Sequence, residues 1–329
     1  MGFRLGFIFD GGEAKELIPL KLLYVIHYFA FSMQTYLPIY FDTTAHFSKA
    51  QIGVLLAIPC ICAIISTPIW GAIADGIHNQ KLTHAHEAEH HEKGELIKSL
   101  KAILRQHDVL LLFVIVILAG ILGGLIDNLL FLYLFHLSGD NPHIVGVVIA
   151  VETLSELPFF FHANKIIERF GTPKCILASL IAYGIRMFTY AFVQHPWLVL
   201  PIETLHGLTY GLLLAAFTNY IYGAAPKGTE GTMIGVLFAV QRGIGGGLST
   251  LVGGWIYGAL GGRTMWGIAG FIVFPLSLLA TAGFAHLARD YAAQSPTASK
   301  EDSGSITSDE SSLLATSTEY GTKDVSAQC

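Results

Sequence analysis

Seven ionisable side chains lie inside long apolar runs of the sequence, where a charge is costly. They are Asp127, Glu152, Glu156, Arg186, Glu203, His206 and Arg242. A charged side chain at the centre of a bilayer costs about 3 kcal/mol on insertion scales, so each one needs a partner or a task. Such residues commonly mark proton relays and solute pathways. The chemistry that they suggest is proton transfer and the binding of a polar solute.

The spacing of these residues places several of them on shared helix faces. Glu152 and Glu156 are four residues apart, and Glu203 and His206 are three apart. Residues at these separations are neighbours on a helix surface. Two carboxylates that close repel one another, so the first pair can carry a proton. Glu203 and His206 can pair or relay a proton, and Arg186 can neutralise either site.

The composition indicates a membrane protein. Of the 329 residues, 53% are hydrophobic and 13% are charged, and the mean hydropathy is +0.56. A soluble domain carries about 25% charged residues, so a soluble enzyme is excluded. The net charge of −5 leaves no basic footprint for nucleic acid. The sequence contains no Gly-x-x-x-x-Gly-Lys loop for ATP, and it implies no cofactor.

Eight apolar runs are long enough to span a bilayer as helices, which takes about 20 residues each. They cover approximately residues 17–41, 51–74, 109–137, 144–163, 174–194, 197–225, 232–260 and 263–287. Pro59 and Pro68 predict bends in the second run, and Pro158 predicts one in the fourth. The glycines between 243 and 261 predict close helix packing. The predicted fold class is all-α, a polytopic protein of about eight transmembrane helices.

Lysine and arginine predict the orientation in the membrane. Leaving the distal tail aside, the end segments and even-numbered loops carry twelve of these residues, whereas the odd-numbered loops carry only Lys49 and Arg263. Positive charge marks the cytoplasmic side. Both termini are therefore expected in the cytoplasm. The lipid bilayer is an expected partner.

Four segments follow from this pattern. Residues 1–75 form an N-terminal segment with two helices, and residues 76–107 a histidine-rich cytoplasmic linker. Residues 108–289 form a six-helix bundle. Residues 290–329, with 14 Ser and Thr in 40 positions, predict a disordered cytoplasmic tail.

Several motifs resemble the major facilitator superfamily. The run Gly71-Ala-Ile-Ala-Asp75 resembles the family's signature loop after helix two. Residues 155–161 (Ser-Glu-Leu-Pro-Phe-Phe-Phe) and 167–171 (Ile-Glu-Arg-Phe-Gly) look like helix eight and the following loop of the branch with lactose permease and the MFSD-six-like proteins. The resemblance implies a secondary transporter fold of twelve helices in two halves.

The same resemblance implies that four helices are missing. The first two runs look like family helices one and two, and the remaining six look like helices seven to twelve. Family helices three to six have no counterpart, so the chain resembles a truncated member. The first two helices are therefore expected to pack less completely than the six-helix bundle.

The resemblance also assigns roles to the intramembrane charges. By position, Glu156, Arg186 and His206 look like the lactose-permease groups for proton coupling and sugar recognition. Thr209 stands where that family places its proton-carrying glutamate, and Glu203 occupies a lysine position. Asp127 and Arg242 look like a structural charge pair between family helices seven and eleven.

Two features lie outside the apolar runs. His84, His86, His90 and His91 form a cluster that suits either a solvated linker or a weak zinc or copper site. The run Asp309-Glu310-Ser311-Ser312-Leu313-Leu314 resembles an acidic dileucine signal, which points to endosomes, lysosomes or vacuoles.

The function predicted from the sequence is secondary transport of a small polar solute, sugar-like or nucleoside-like, with protons as a coupling ion. Two alternatives stay open. One is a non-transporting accessory or receptor-like membrane protein. The other is an eight-helix metal transporter, which the linker histidines would serve. The chain is not expected to be an enzyme.

Overall fold

A computed structural model describes residues 33–83 and 105–288. The four linker histidines, residues 17–32 of the first predicted helix, and the tail with its dileucine run lie outside the described residues.

Eight helices follow one another in the described part of the chain, which contains no strand. They are α1 (Leu37–Thr43), α2 (Lys49–Thr83), α3 (His107–Leu137), α4 (His143–Phe170), α5 (Thr172–Phe192), α6 (Pro196–Glu203 and Gly207–Ala224), α7 (Glu230–Leu260) and α8 (Gly262–Leu287).

Seven of these helices match predicted membrane spans. In the described residues, five helices are individually long and apolar enough to cross a bilayer, and the count is seven when α4 and α6 are each taken as one bent span. Each of the seven coincides with one predicted run. The chain is an all-α, multi-pass integral membrane protein, as predicted.

Two spans are broken, and both breaks lie beside candidate residues. Helix α4 bends by 56° between Phe159 and Phe161, directly after Pro158. Proline removes a backbone hydrogen bond and can bend a helix. The second run, where Pro59 and Pro68 also predict bends, forms one uninterrupted helix, Lys49–Thr83. Helix α6 bends by 44° between Glu203 and Gly207.

Four spans also contain a π-helical segment, which the sequence pattern did not predict. These segments are Ile126–Leu130 in α3, Gly207–Leu212 in α6, Ala239–Gly245 in α7 and Ala269–Val273 in α8. A π turn inserts an extra residue and is frequent at functional sites. Three of these segments contain or directly follow a candidate ionisable residue.

Glycines let α7 pack closely between α2 and α3. A side chain at Gly53 in α2 would strike the backbone of Thr250 in α7, and one at Gly71 would strike Gly231. On the other side, an added Cβ at Gly245 would lie 2.8 Å from the Cα of Gly120 in α3. The predicted close packing of the glycine-rich run is therefore confirmed.

Helix α2 packs against α7 along one face, and its other faces are largely exposed. Only 22% of its apolar window is buried, against 61% for α3 and α5. Exposed Ile65 and Trp70 illustrate the open side, which suits contact with lipid. Helix α8 of the predicted bundle is nearly as open, with 28% of its window buried, so looser packing of α2 than of the bundle stays a prediction.

Asp75 ties the end of α2 to the start of α7. Its carboxylate accepts hydrogen bonds from the amides of Gly231 at 2.8 Å and Thr232 at 2.7 Å, and from the Thr232 hydroxyl at 2.6 Å. Helix α7 begins at Glu230, so Asp75 satisfies amides of its first turn. The motif Gly71-x-x-x-Asp75 thus combines a close helix contact with a helix cap.

Replacing Asp75 with asparagine should destabilise the protein. Asparagine keeps one acceptor oxygen and loses the charge, so we expect a loss of about 2 kcal/mol, measured as unfolding in detergent. Exposed Asp140 provides the control: Asp140→Asn should change little. Equal losses in the two variants would show that the cap contributes nothing.

Candidate functional site

Arg186 and four other predicted residues meet inside the bundle. Arg186 comes from α5, Glu152 and Glu156 come from α4, and Glu203 and His206 lie on either side of the break in α6. We call these five residues the charge cluster. Three consecutive helices position it.

Each nitrogen of the Arg186 guanidinium donates at least one hydrogen bond. Its Nε donates to Tyr190 Oη at 2.8 Å, and its Nη1 donates to Thr209 Oγ1 at 2.9 Å. Its Nη2 donates to Glu152 Oε1 at 2.9 Å and to Glu203 Oε2 at 2.5 Å. Tyr190 Oη in turn donates to Glu203 Oε1 at 2.7 Å. A guanidinium bound in this way is fixed in orientation.

His206 lies between the two glutamates of α4. Its Nε2 is 2.9 Å from Glu156 Oε1, and its Nδ1 is 3.2 Å from Glu152 Oε1. The same Nδ1 is 3.0 Å from Arg186 Nη1. The two glutamates, predicted to share a face, are therefore linked through one imidazole.

The charge cluster is closed on one side and open on the other. Arg186 and Glu203 are both 0% exposed. The Glu156 side chain is 22% exposed. Exchange with water or solute is therefore easiest at Glu156.

The break in α6 has a local cause and a geometric effect. Gly207 lies against α4, where a Cβ would strike the Ser155 carbonyl, and its amide donates to Ser155 Oγ at 3.0 Å. Glu203 and His206 lie on either side of the bend, and both contact Arg186, Glu203 through Nη2 and His206 through Nη1. Their spacing on a regular helix predicted a shared face, on which they could pair with each other or relay a proton.

Tyr210 connects the charge cluster to the second pair of predicted charges. Its ring stacks on His206, with centroids 5.5 Å apart and planes at 21°. Arg242 donates a hydrogen bond to Tyr210 Oη and lies 5.7 Å from its ring centroid. The direct pair of Asp127 and Arg242 stays a prediction.

Tyr190 and Tyr210 were not predicted from the sequence, and Thr209 was named only as the residue at the family's glutamate position, although helical spacing contained a signal for each. Tyr190 is four residues after Arg186, Thr209 is three after His206, and Tyr210 is four after His206. Uncharged side chains do not stand out in an apolar run, because burying them costs far less than burying a charge.

Metal ligands do not cluster in the described part of the chain. No group of three His, Cys, Asp or Glu there could hold a metal ion. The linker histidines lie outside that part.

Fold and site together define a helical membrane protein with ionisable groups buried between its spans, the class to which solute transporters belong. The chain belongs to the MFS_1 like family of the major facilitator superfamily, because that family's model matches residues 17–83 and 76–268. The resemblance inferred from the motifs is confirmed.

Individual relatives agree with this family. Major facilitator superfamily domain-containing protein 6-like protein B of Xenopus laevis is 27% identical over 170 residues, which are 52% of this chain and 27% of that protein. The uncharacterized transporter YwbF of Bacillus subtilis is 25% identical over 60% of this chain and 45% of its own length. The maltose permease of Geobacillus stearothermophilus is 29% identical over 40% of this chain and 34% of its own. The chain thus spans less than half the length of these relatives.

A solved structure shows the same fold. A single-residue mutant of the nucleoside transporter NupG superimposes with a TM-score of 0.51 at 14% sequence identity. The match covers 62% of this chain and 55% of that one. At this identity the similarity concerns the fold alone.

Proposed function

We propose that this protein is a secondary transporter of a small polar solute, sugar-like or nucleoside-like, and that it couples transport to protons. The observation that carries the proposal is the charge cluster, with His206 held between two glutamates. A relative named maltose permease supports the solute class. The chain is not proposed to be an enzyme.

The charge balance of the cluster supports coupling to a cation. Glu152, Glu156 and Glu203 supply three carboxylates, whereas Arg186 supplies one guanidinium. With a neutral imidazole the cluster would carry two more negative than positive charges, in a region where a charge is costly. Protons that bind to His206 and to one glutamate would remove the excess.

His206 has the geometry of a proton relay. An arginine N–H can only donate, so the contact with Arg186 Nη1 is satisfied when Nδ1 of His206 is unprotonated and Nε2–H points to Glu156. When Nδ1 carries a proton, it can donate to Glu152 instead. The imidazole can therefore take a proton from one glutamate and release it towards the other.

The open side of the cluster offers groups for a polar solute. Glu156, Tyr210, Arg242 and Asp127 combine carboxylates, a guanidinium and an aromatic ring. Small-molecule sites typically pair an apolar or aromatic wall with a few polar groups that fix orientation. Hydroxyl-rich solutes such as sugars and nucleosides suit this set.

The four-segment organisation and the truncation are also proposals. The family model matches in two segments that overlap at residues 76–83, which is the place where family helices three to six would be inserted. Without them, one half of the usual transporter is incomplete. This observation favours a second candidate function, a non-transporting accessory protein.

Uptake into liposomes distinguishes the two functions. Liposomes containing the purified chain should accumulate radiolabelled maltose or uridine when an inward proton gradient is imposed, and a protonophore should abolish the accumulation. Liposomes without protein are the control. If the folded protein drives no uptake of either solute and no solute-dependent proton movement, the accessory function is favoured.

A further inference from the structure

We propose that a cavity at the predicted extracytoplasmic end of the bundle binds a phosphate group, carried by a lipid headgroup or by free phosphate. We call it the outer cavity. Its volume is about 430 Å³, and its walls include Tyr133, His136, Tyr257 and Arg263. This volume lies within the usual range for small-molecule sites, roughly 300–1,000 Å³.

The outer cavity lies where three spans end. Leu137 ends α3, Leu260 ends α7 and Gly262 begins α8, and all three line the cavity. The ends of spans lie at the boundary between hydrocarbon and headgroups. Tyr133 and Tyr257 meet edge to face at 6.4 Å, and tyrosine is enriched at this depth of a membrane. A phosphate of the outer leaflet would therefore be at the height of the cavity.

Arg263 is the principal anion-binding group of the outer cavity. Its Nη2 donates to the carbonyl of Val193 at 3.3 Å. Among the described residues, no carboxylate forms an ion pair with it within 4.0 Å. The guanidinium charge is exposed and not neutralised there. Guanidinium groups bind phosphate through two parallel hydrogen bonds.

A second cationic group stands beside the same walls. Lys49 Nζ lies 6.0 Å from the Tyr257 ring centroid and 3.1 Å from His136 Nε2. The Asp42 carboxylate forms an ion pair with Lys49, and its Oδ2 lies 2.8 Å from His136 Nε2. One carboxylate is therefore shared by Lys49 and His136, and Arg263 remains in excess. Among the residues that line the outer cavity, Arg263 carries the fixed positive charge and none is a carboxylate.

The two basic residues near the outer cavity come from the side of the membrane that carries few lysines and arginines. Lys49 and Arg263 are the two Lys or Arg residues of the odd-numbered loops, a side that transmembrane proteins keep poor in positive charge. Arg263 lines the outer cavity, and Lys49 contacts two of its lining residues, His136 and Tyr257, although 214 positions separate Lys49 from Arg263. Snorkelling alone would bring each to the interface but would not bring the two together.

Native mass spectrometry of the full chain in a maltoside detergent tests the site. Phosphatidylglycerol should remain bound to the wild type, whereas diacylglycerol, the matched lipid without a phosphate, should not. Arg263→Gln should weaken phosphatidylglycerol binding at least about tenfold, and Arg263→Lys, which keeps the charge, should weaken it less. Arg169→Gln is the control, since Arg169 is an exposed arginine stacked on Phe170 at the predicted cytoplasmic end.

Competition separates the two sources of phosphate. If inorganic phosphate displaces phosphatidylglycerol, the phosphate group alone is recognised. If it does not displace it, the lipid headgroup is the ligand. The proposal is overturned if the folded Arg263→Gln protein binds phosphatidylglycerol as the wild type does, if Arg169→Gln weakens binding equally, or if diacylglycerol binds as well.

Discussion

Replacing Arg186 with glutamine is expected to prevent the chain from forming a stable fold. The guanidinium is the shared partner of Glu152 and Glu203, and Glu203 is completely buried. Removing one member of a buried ion pair typically costs about 3–5 kcal/mol, because the other charge stays buried without compensation. Fluorescence-detected size-exclusion chromatography in detergent would show aggregation or loss of the folded peak.

A double variant separates this effect from loss of packing. In Arg186→Gln/Glu203→Gln the two side chains are neutral and can still hydrogen-bond, so we expect much of the folded peak to return. Transport should not return with it. If the single variant is as stable as the wild type, Arg186 does not neutralise the glutamates in the folded protein.

Replacing Glu156 with glutamine should uncouple transport from protons while leaving the fold intact. Glutamine keeps the size of the side chain and its hydrogen bond to His206 Nε2, but it cannot take up or release a proton. We expect gradient-driven accumulation of the transported solute to fall at least about tenfold, while solute exchange without a gradient changes much less. Vesicles with an imposed pH gradient measure both.

Glu168 is the matched control for this experiment. It lies on the same helix near Phe170 and is exposed, outside the charge cluster. Glu168→Gln should leave both accumulation and exchange close to wild type. Unchanged gradient-driven uptake in the Glu156→Gln protein would reject the proton role that we assign to this residue.

The positions of the spans could be predicted because lipid imposes a simple rule on sequence. Every backbone polar group must be hydrogen-bonded inside the membrane, and an α-helix makes all of these hydrogen bonds within one segment. A membrane span therefore appears in the sequence as a long apolar run. The same cost of charge in lipid identified Glu156, Arg186 and His206 before any geometry was known. The bend after Pro158 was visible for an equally local reason, the missing backbone amide.

The geometry inside the spans could not be predicted, because it depends on departures from a regular helix. Glu203 and His206 were assigned to one face by their spacing. In the structure the helix breaks between Glu203 and Gly207, and the two residues share Arg186 as a partner. The π segments leave no signature in an apolar run, since one extra residue changes neither hydropathy nor length appreciably. His136 lies near the end of its span, and its position in the sequence carries no signal for its contact with Asp42.

The chain order of the charge cluster has a consequence for biogenesis. Glu152, Arg186 and Glu203 lie on α4, α5 and α6, which emerge from the ribosome one after another. A short connection at Gly171 joins α4 to α5, so these two can enter the membrane as a hairpin in which the carboxylate and the guanidinium neutralise each other. Helix α6 then adds the second carboxylate to an arginine that is already in place. The two ion pairs of Arg186 with glutamates therefore form between α5 and the helices directly before and after it in the chain.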